Sequence, residues 1–444
     1  MMSVVRQSIR RATGALALAA GIGLSALAAG PAEAVQIQRV VSPGGIEAWL
    51  VEEQAVPLIA VNFAFKGGNA QDPDGKAGLA NLLSTLLDEG AGEMDGQTFQ
   101  GRLEDLSIRL AFEDSRDAFY GEMKTLSAHR DEAFDLLRLS LTKPRFDDDA
   151  VERMRVQAIS GLRREKRDPD TVASRLWARS IFPNHPYGRP ANGDEASVAA
   201  ITGQDLRDYH GRVFARDGLK IGVVGAIDAK TLAPLLDRVF GDLPARQRLT
   251  PVAEVAPLSG LTVSETIPNP QTVIRLSAEG LKRKDPDFIA AYVMNHILGG
   301  GSFSSWLYTE VREKRGLAYS VYTSLAPYDH AGIFYGGLGT RADRAAESIR
   351  VIRDEIKRMA EVGPTTAELD KAKSYLTGSY ALRFDTSDKI AGQLLAIQMD
   401  DLGIDYIDKR NALIEAVTLA DVKRVAARLL SKPLTVVTVG PGGS

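Results

Sequence analysis

The chain has 444 residues, of which 44% are hydrophobic and 25% are charged, and its formal net charge at pH 7 is −3. This length predicts two or more domains, and the weak negative charge offers no electrostatic footprint for nucleic acid. The absence of cysteine excludes disulfides, thiolate catalysis and a cysteine-ligated zinc site.

Residues 1–34 have the pattern of a cleavable export signal. Three arginines, the last two being Arg10 and Arg11, precede an apolar run over residues 15–29 that is short for a bilayer span. An A-x-A sequence ending at Ala34 predicts cleavage there, a mature chain without a membrane anchor, and a periplasmic location. An uncleaved anchor is the alternative, and the paired arginines leave the choice between Sec and twin-arginine export open.

Strands and helices then alternate over residues 35–242, which we predict to form one domain. Period-two alternation and short apolar runs predict strands, whereas apolar residues three to four positions apart predict helices. The predicted strands are 46–51, 58–65, 108–114, 118–125 and 219–224. The predicted helices begin with a leucine stripe at 79–87 and continue at 129–141, 150–164, 174–181, 203–213 and 229–240.

Residues 243–260 contain several prolines and little periodicity, which predicts a linker. A second domain is predicted over residues 261–444, with the same general order of elements. Its predicted strands are 272–278, 318–325, 333–339 and 434–439. Its predicted helices are 288–298, 304–314, 344–360, 367–380, 389–399 and 419–430.

An internal repeat links the two halves. Thr202 with Asp205 in the first half recurs as Thr418 with Asp421, 216 positions later, and each pair is followed by a short apolar strand that ends in glycine. A duplicated unit within one chain is a stronger signal than either copy alone. The sequence therefore predicts an α+β fold of two homologous domains, each a mainly antiparallel sheet with helices packed on one face.

The segment 299–319 has the most distinctive chemistry. Gly299, Gly300 and Gly301 predict a helix end, and Ser302 predicts the N-cap of the next helix, which ends near Gly316. Glycines also allow a peptide backbone to approach closely. Phe303 and Trp306, next to this loop, are candidates to line a substrate cavity, but packing in the interior is the favoured interpretation.

Arg312 lies in the last turns of that helix, and Tyr319 lies seven positions later on the following strand. A guanidinium and a phenol both donate hydrogen bonds at neutral pH, so together they suit the binding of carbonyl groups. Each also has an ordinary structural interpretation: the arginine can complement a helix terminus, and the tyrosine can pack in a sheet.

The glycine loop followed by this arginine and tyrosine resembles the substrate-clamping segment of the pitrilysin/insulinase family of inverted-zincin zinc peptidases. Gly78-Leu79-Ala80 at the start of the first helix also matches that family. The resemblance implies that the loop residues Gly299, Gly300, Gly301 and Ser302 contact substrate. It further implies that Arg312 and Tyr319 bind peptide carbonyls and the oxyanion that forms at zinc.

The zinc motif of that family is missing. Active members carry H-x-x-E-H on the first helix, where two histidines bind Zn²⁺ and the glutamate activates water. The corresponding positions here are Asn81, Ser84 and Thr85. In the family, a later helix supplies the third zinc ligand, a glutamate, but the corresponding helix here has no acidic residue between positions 153 and 164. We therefore expect no cofactor in this chain.

The leading hypothesis is a zinc-free subunit of a two-chain periplasmic metallopeptidase that cleaves peptides. A homologous partner would carry H-x-x-E-H and zinc in a heterodimer or larger assembly, and this chain would supply Arg312 and Tyr319 but cleave nothing alone. The alternative is an inactive family member. It would act as an assembly protein, as do the core subunits of the respiratory cytochrome complex, or as a peptide-binding protein, for instance as a homodimer.

Overall fold

The structure is a computed structural model that describes residues 36–441, so the predicted export signal lies outside the described residues. The strands of the first half are β1 (Gln38–Val41), β2 (Glu47–Glu52), β3 (Leu58–Lys66), β4 (Gly90–Ala91), β5 (Met94–Asp95), β6 (Arg109–Asp114), β7 (Ala118–Leu126) and β8 (Leu219–Gly225). Its helices are α1 (Leu79–Ser84), α2 (Gly96–Asp105), α3 (Arg130–Thr142), α4 (Asp148–Glu165), α5 (Pro169–Ile181), α6 (Glu195–Ala199), α7 (Gly203–Val213) and α8 (Ala229–Phe240).

Within the described residues, the second half has fewer strands and fewer helices than the first. Its strands are β9 (Thr262–Thr266), β10 (Gln271–Glu279), β11 (Ala318–Tyr328), β12 (Ala331–Arg341) and β13 (Thr435–Gly440). Its helices are α9 (Phe288–Asn295), α10 (Ala345–Glu361), α11 (Thr366–Gly378), α12 (Ser387–Met399), α13 (Tyr406–Glu415) and α14 (Leu419–Leu430).

Each half contributes one large mixed sheet. The strand order is β1-β2-β8-β3-β7-β6 in the first sheet and β11-β12-β10-β13-β9 in the second. Each sheet has a single parallel pair, β2 with β8 and β13 with β9, and its other pairs are antiparallel. The predicted α+β class with mainly antiparallel sheets is therefore confirmed.

The repeat found in the sequence recurs as a repeated helix start. Thr202 caps α7 and Thr418 caps α14, and in both helices the side chain of the aspartate three residues later accepts a hydrogen bond from the threonine backbone N–H. The threonine hydroxyl accepts from the Asp205 N–H at 3.2 Å and from the Asp421 N–H at 3.1 Å in the respective boxes. Such reciprocal boxes satisfy backbone donors that a helix start leaves unpaired.

One face of each sheet packs against helices of its own half. Ile59, Val61 and Phe63 of β3 belong to a core that also contains residues of α1, α3, α7 and α8. Ile274 and Leu276 of β10 lie in the corresponding core with α9, α10 and α14. These are the helix-covered faces that the sequence predicts.

The opposite face of each sheet is covered by a helix from the other half. Helix α12 packs on β3 and β8 of the first sheet. Gln398 of α12 donates from Nε2 to the Ile221 carbonyl at 2.9 Å. A Cβ added at Gly222 would lie 2.7 Å from the Ala391 carbonyl oxygen, so this glycine lets the helix backbone approach the strand.

The reciprocal contact uses α5, which packs on β10 and β13 of the second sheet. Ala173 and Leu176 lie against Val273 and other valines of that sheet. Trp177 donates from its indole nitrogen to the Ser277 hydroxyl at 2.8 Å. Because α5 and α12 occupy matching places in the repeat, the two halves exchange equivalent helices.

The connection between α8 and β9 has neither helix nor strand and runs along both halves. The Leu258 N–H donates to the Ile181 carbonyl, and the Val255 N–H donates to the His330 carbonyl, both at 2.9 Å. The domain limits at residues 242 and 261 stay a prediction. None of the helices within residues 36–441 is both long and apolar enough to cross a membrane.

We expect Gly222→Ala to lower the free energy of unfolding by about 1–3 kcal/mol, because the new methyl group would press against the α12 backbone. Gly101→Ala is the matched control, since a Cβ there meets nothing within 4 Å. It should be neutral or slightly stabilising in the middle of α2. Urea denaturation measures both, and equal effects would contradict close packing of α12 on β8.

Because the His210 side chain lies largely inside the fold, we expect the free energy of unfolding to depend on pH. Burial lowers its pKa from 6.5 to about 4, because the interior disfavours the charged ring. The unfolded chain therefore binds more protons between pH 4 and 6.5, so the stability that neutral His210 contributes above pH 6.5 is lost as the pH falls through this window. The expected loss from this group is about 2–3 kcal/mol.

The test compares urea denaturation at pH 7 and at pH 4.5 for the wild type and His210→Gln. The glutamine can keep the hydrogen bond that His210 makes with the Leu141 carbonyl at 2.9 Å. This variant should lose less stability on acidification than the wild type, whereas the control His129→Gln should behave like the wild type. The same acid sensitivity in all three proteins would contradict the assignment to His210.

Candidate functional site: an arginine and tyrosines beside a glycine loop

Arg312 lies on an irregular helical turn. The segment Tyr308–Glu313 is π-helical, and the Lys314 N–H donates to the Thr309 carbonyl at 3.0 Å. Gly316 ends the turn with φ +59°. Leu307 and Val311 are buried on the sheet side of this turn, which leaves Arg312 partly exposed. π-helical turns are uncommon and occur frequently at functional sites.

Tyr319 lies on β11, the edge strand of the second sheet. Ala318 pairs with Thr340, but Val321 pairs with Leu338, so β11 carries one extra residue between these two points. This bulge places two consecutive side chains, those of Tyr319 and Ser320, on the exposed side. Bulges at sheet edges commonly redirect a side chain next to a binding site.

The structure brings Arg312 and Tyr319 together. The Arg312 guanidinium carbon lies 4.4 Å from the centroid of the Tyr319 ring, and the Tyr319 side chain is 82% exposed. Arg312 also lies 4.8 Å from the ring of Tyr308 and donates to its hydroxyl. Phe303 packs edge-on against Tyr308, with 4.9 Å between ring centroids.

Arg312 has no carboxylate partner in the part of the chain that the structure describes. The nearby Glu310 is engaged by Lys314 and Arg315, each at 2.6 Å. Aromatic rings hold the Arg312 side chain in place without neutralising its charge, because a cation over a ring face is only weakly compensated. This arrangement can donate hydrogen bonds to a carbonyl oxygen or to an anionic oxygen of another molecule.

Two residues of this cluster were not identified from the sequence. Tyr308 precedes Arg312 by four positions, a spacing that places two side chains on the same face of a helix and could have indicated the contact. Phe303 is 72% exposed, so the expectation that it packs in the interior is wrong. Trp306, by contrast, is buried and donates from its indole nitrogen to Glu368 at 2.7 Å.

The glycine loop is constrained by the chain itself. A Cβ at Gly299 would lie 2.8 Å from the Thr323 nitrogen of β11 and would also contact its hydroxyl oxygen. A Cβ at Gly301 would lie 2.6 Å from the His296 carbonyl oxygen, whereas at Gly300 the nearest atom is the Asn295 amide nitrogen, also at 2.6 Å. Packing is therefore sufficient to require glycine at positions 299 and 301, and their contact with substrate stays a prediction.

Ser302 does not cap the following helix, so that prediction is wrong. Ser302 has φ +46° and begins a 3₁₀ turn, and its carbonyl accepts from the Ser305 hydroxyl at 2.9 Å. The cap is Ser305, whose hydroxyl accepts from the Tyr308 N–H at 3.3 Å. The 3₁₀ turn delays the start of the helix by three residues. Contact of Ser302 with substrate stays a prediction.

The positions that correspond to the zinc motif make hydrogen bonds within the chain. The Asn81 amide donates to Asp114 of β6 at 3.0 Å, and the Asn69 amide donates to the other oxygen of the same carboxylate at 2.8 Å. The hydroxyls of Ser84 and Thr85 donate to carbonyls of α1, each at 2.8 Å. Helix α1 ends at Ser84, so this stretch is short and bonded to itself.

Two carboxylates lie beside these positions, buried Asp72 and half-buried Asp114. Asp72 accepts from the backbone N–H groups of Gly78, Leu79 and Ala80 at 2.8, 3.2 and 3.0 Å and thereby caps α1. Burial raises the pKa of Asp72 to about 7, with a smaller contribution from the charge of Asp114. Burial also raises the pKa of Asp114, although both asparagine amides oppose this.

These two aspartates do not constitute a family-type zinc site. Within residues 36–441, no group of three or more His, Cys, Asp or Glu side chains is arranged to hold a metal ion. His185 and His210 instead bond to backbone carbonyls, each at 2.9 Å. The residues present therefore do not fit the zinc ion that the sequence resemblance associates with this fold.

Comparison with known protein families shows which family this chain belongs to. Residues 50–195 match the family described as insulinase (peptidase family M16), and residues 200–376 match the M16 inactive domain, which together cover well over half of the chain. The chain belongs to the M16 peptidase family. The resemblance inferred from the glycine loop, Arg312 and Tyr319 is thus confirmed at the level of the family.

The relatives of this M16 protein carry contrasting descriptions. A Helicobacter pylori protein described as a non-peptidase homolog is 28% identical, over 76% of this chain and 78% of its own. An uncharacterized zinc protease of Mycobacterium bovis is 27% identical, over 94% and 96%. A solved Pseudomonas fluorescens structure, described as a peptidase M16 inactive domain, is 28% identical, covers 92% of this chain and 98% of its own, and superposes with a TM-score of 0.86.

The packing of the glycine loop predicts that Gly299→Ala lowers the free energy of unfolding by about 1–3 kcal/mol, because the Thr323 backbone cannot move away freely. Gly378→Ala, at a helical position where a Cβ meets nothing within 4 Å, is the control and should not destabilise the chain. Urea denaturation measures both. A Gly299→Ala protein as stable as the wild type would contradict the packing account and leave substrate contact as the reason for this glycine.

Proposed function

We propose that this M16 protein is the zinc-free subunit of a two-chain periplasmic metallopeptidase. A homologous partner would supply H-x-x-E-H and zinc, and this chain would supply Arg312 and Tyr319 to the peptide held between the subunits. The observation that carries the proposal is the exposed Arg312–Tyr319 pair, in which the arginine lacks a carboxylate partner among the described residues.

The chemistry of the pair suits this role. Peptide hydrolysis at zinc builds negative charge on the former carbonyl oxygen, and fixed hydrogen-bond donors stabilise that charge in the transition state. A guanidinium held by Tyr308 and the bulge of β11 is such a donor, and the Tyr319 hydroxyl is a second one. The hydroxyl can act on another molecule because its side chain is exposed.

The irregular backbone at Arg312 and Tyr319 also supports the proposal. The π-helical turn and the bulge both interrupt regular structure within a few residues of each other. Such irregularities weaken regular hydrogen bonding, and proteins retain them mainly where they direct side chains to a site.

A second candidate is a non-enzymatic M16 protein that binds peptide or serves in an assembly. The described residues hold no metal cluster, and the Helicobacter pylori relative is described as a non-peptidase homolog. In that case Arg312 and Tyr319 would contact a partner or peptide without taking part in hydrolysis. The two candidates differ in whether a zinc-bearing chain accompanies this one.

Isolation of the tagged native protein from the host periplasm tests the proposal first. We expect a stoichiometric homologous partner that contains H-x-x-E-H and zinc, and chelator-sensitive cleavage of a quenched peptide that this chain alone does not show. A partner without that motif, in a zinc-free preparation without cleavage, would overturn the proposal in favour of the second candidate.

Tyr319→Phe tests the catalytic contribution within the reconstituted pair. Loss of one oxyanion donor typically lowers the rate about 10²–10³-fold, so we expect kcat to fall by roughly that factor while the two chains remain associated. Tyr375→Phe, a change at an exposed tyrosine of α11, is the control and should retain the wild-type rate. Unchanged turnover in Tyr319→Phe would remove the proposed role, and light scattering would report any dissociation.

A further inference from the structure

A second uncompensated arginine lies in a cavity of the second half. Arg410 of α13 is only 6% exposed, yet no carboxylate pairs with it in the described part of the chain. Its Nη1 donates to the Leu376 carbonyl and to the Asn411 side chain, each at 3.1 Å. Burial of a charge without a counterion is strongly unfavourable, so such groups are normally paired.

Aromatic rings hold Arg410 from one side. The guanidinium carbon lies 4.0 Å from the centroid of the Tyr380 ring and 5.9 Å from that of Tyr292. A desolvated cation over a ring is stabilised by the ring's negative face, which offsets part of the cost of burial. The contact leaves the charge itself unneutralised, because a ring face carries only a quadrupole.

Arg410 lines an open cavity of about 300 Å³ whose walls come from α9, α12, α13, β11 and the 3₁₀ turn after α11. This volume is at the lower end of the range of roughly 300–1,000 Å³ for small-molecule sites. Phe288, Leu325 and Tyr406 are among its apolar and aromatic walls. A ligand of this size with an apolar body and one polar end fits these dimensions.

The cavity has an excess of positive charge. Three arginines and one aspartate line it, and Asp400 pairs with Arg283 at 3.1 Å. Arg283 is also held by the Tyr406 hydroxyl at 2.8 Å. Arg383 and Arg410 remain without a carboxylate among the described residues, so two guanidinium groups face a space with no compensating charge.

We propose that this cavity binds the oxyanion of a small ligand, a carboxylate or a phosphate, through Arg410 and Arg383. A guanidinium binds either group through two parallel hydrogen bonds, and Arg410 still has Nε–H and Nη2–H available for them. The aromatic walls would enclose the apolar part of the ligand, such as the last side chain of a peptide with a free C-terminus.

The pocket is independent of the proposed peptidase role, because neither Arg312 nor Tyr319 lines it. The pocket also adjoins α12, the helix of the second half that covers the first sheet. Gln393 and Ala396 of α12, and Asp400 just after it, form one wall. A ligand here would therefore contact the helix that the second half contributes to the first sheet.

Isothermal titration calorimetry on the full mature chain tests the proposal with three probes. They are the tripeptide alanyl-alanyl-phenylalanine with a free carboxylate, the same peptide with a C-terminal amide, and inorganic phosphate. If a peptide C-terminus is the source of the oxyanion, amidation should weaken binding at least about tenfold, because a charged hydrogen-bond partner is lost. If phosphate is the source, phosphate binds and neither peptide does.

Arg410→Gln should weaken binding of the active probe at least about tenfold, and Arg383→Gln should weaken it severalfold. Arg383 is exposed, so its variant keeps the test valid if removal of buried Arg410 impairs folding, which circular dichroism would show. Arg353→Gln, at an exposed position outside the cavity, is the matched control and should bind like the wild type.

Measurable binding of the free and the amidated peptide with equal affinity, or binding of the active probe that is unchanged in both cavity variants, would overturn the proposal. So would the absence of binding by all three probes at millimolar concentration. These outcomes leave the Arg312–Tyr319 role unaffected, whereas loss of activity in Tyr319→Phe has no bearing on the cavity.

Discussion

The exchange of helices between the two halves is the contact on which the rest of the structure depends. Each sheet buries one face under helices of its own half and the other under a single helix of its counterpart, α12 on the first sheet and α5 on the second. A sheet with one face left open would expose Ala60, Ala64 and Val224, which are buried in the described fold. The hydrophobic effect therefore couples the two halves, because neither sheet is fully covered by its own segment.

Against this framework, the candidate site is built from deviations rather than from regular elements. Arg312 is carried by a π-helical turn and Tyr319 by an edge-strand bulge, while Gly299 packs on β11 between them. The regular sheet holds these segments in place, and the irregular turn and bulge set the directions in which the Arg312 and Tyr319 side chains point. At the positions that correspond to the zinc motif, by contrast, Asn81 donates to Asp114, and Ser84 and Thr85 donate to carbonyls of α1.

Arg312 and Arg410 are held in place by the same kind of contact. Both guanidiniums are held against tyrosine rings, at 4.4 and 4.0 Å from the nearest ring centroids, and neither has a carboxylate partner within the described residues. Cation–π contacts fix the position of a charge while leaving most of its field available to a ligand. They differ in burial: Arg312 lies at the surface beside an exposed tyrosine, which suits contact with a macromolecule, whereas Arg410 is buried and lines a cavity of a size suited to a small ligand.

The sequence by itself determined the duplicated α+β organisation, the repeated threonine–aspartate pairs that begin at Thr202 and Thr418, and the loss of the zinc motif, because these depend on local periodicity and residue identity. Short-range patterns did not reveal α2, α13 or the cap at Ser305, and they placed Phe303 in the interior. Only the tertiary structure decided which helix covers which sheet face, that Tyr308 joins Arg312, and that Arg410 lacks a counterion. The apolar run of β3 indicates burial on both faces, but burial is non-directional and does not specify its partner. Helix exchange, bulge geometry and unpaired charge arise from contacts between distant segments, which a one-dimensional pattern does not contain.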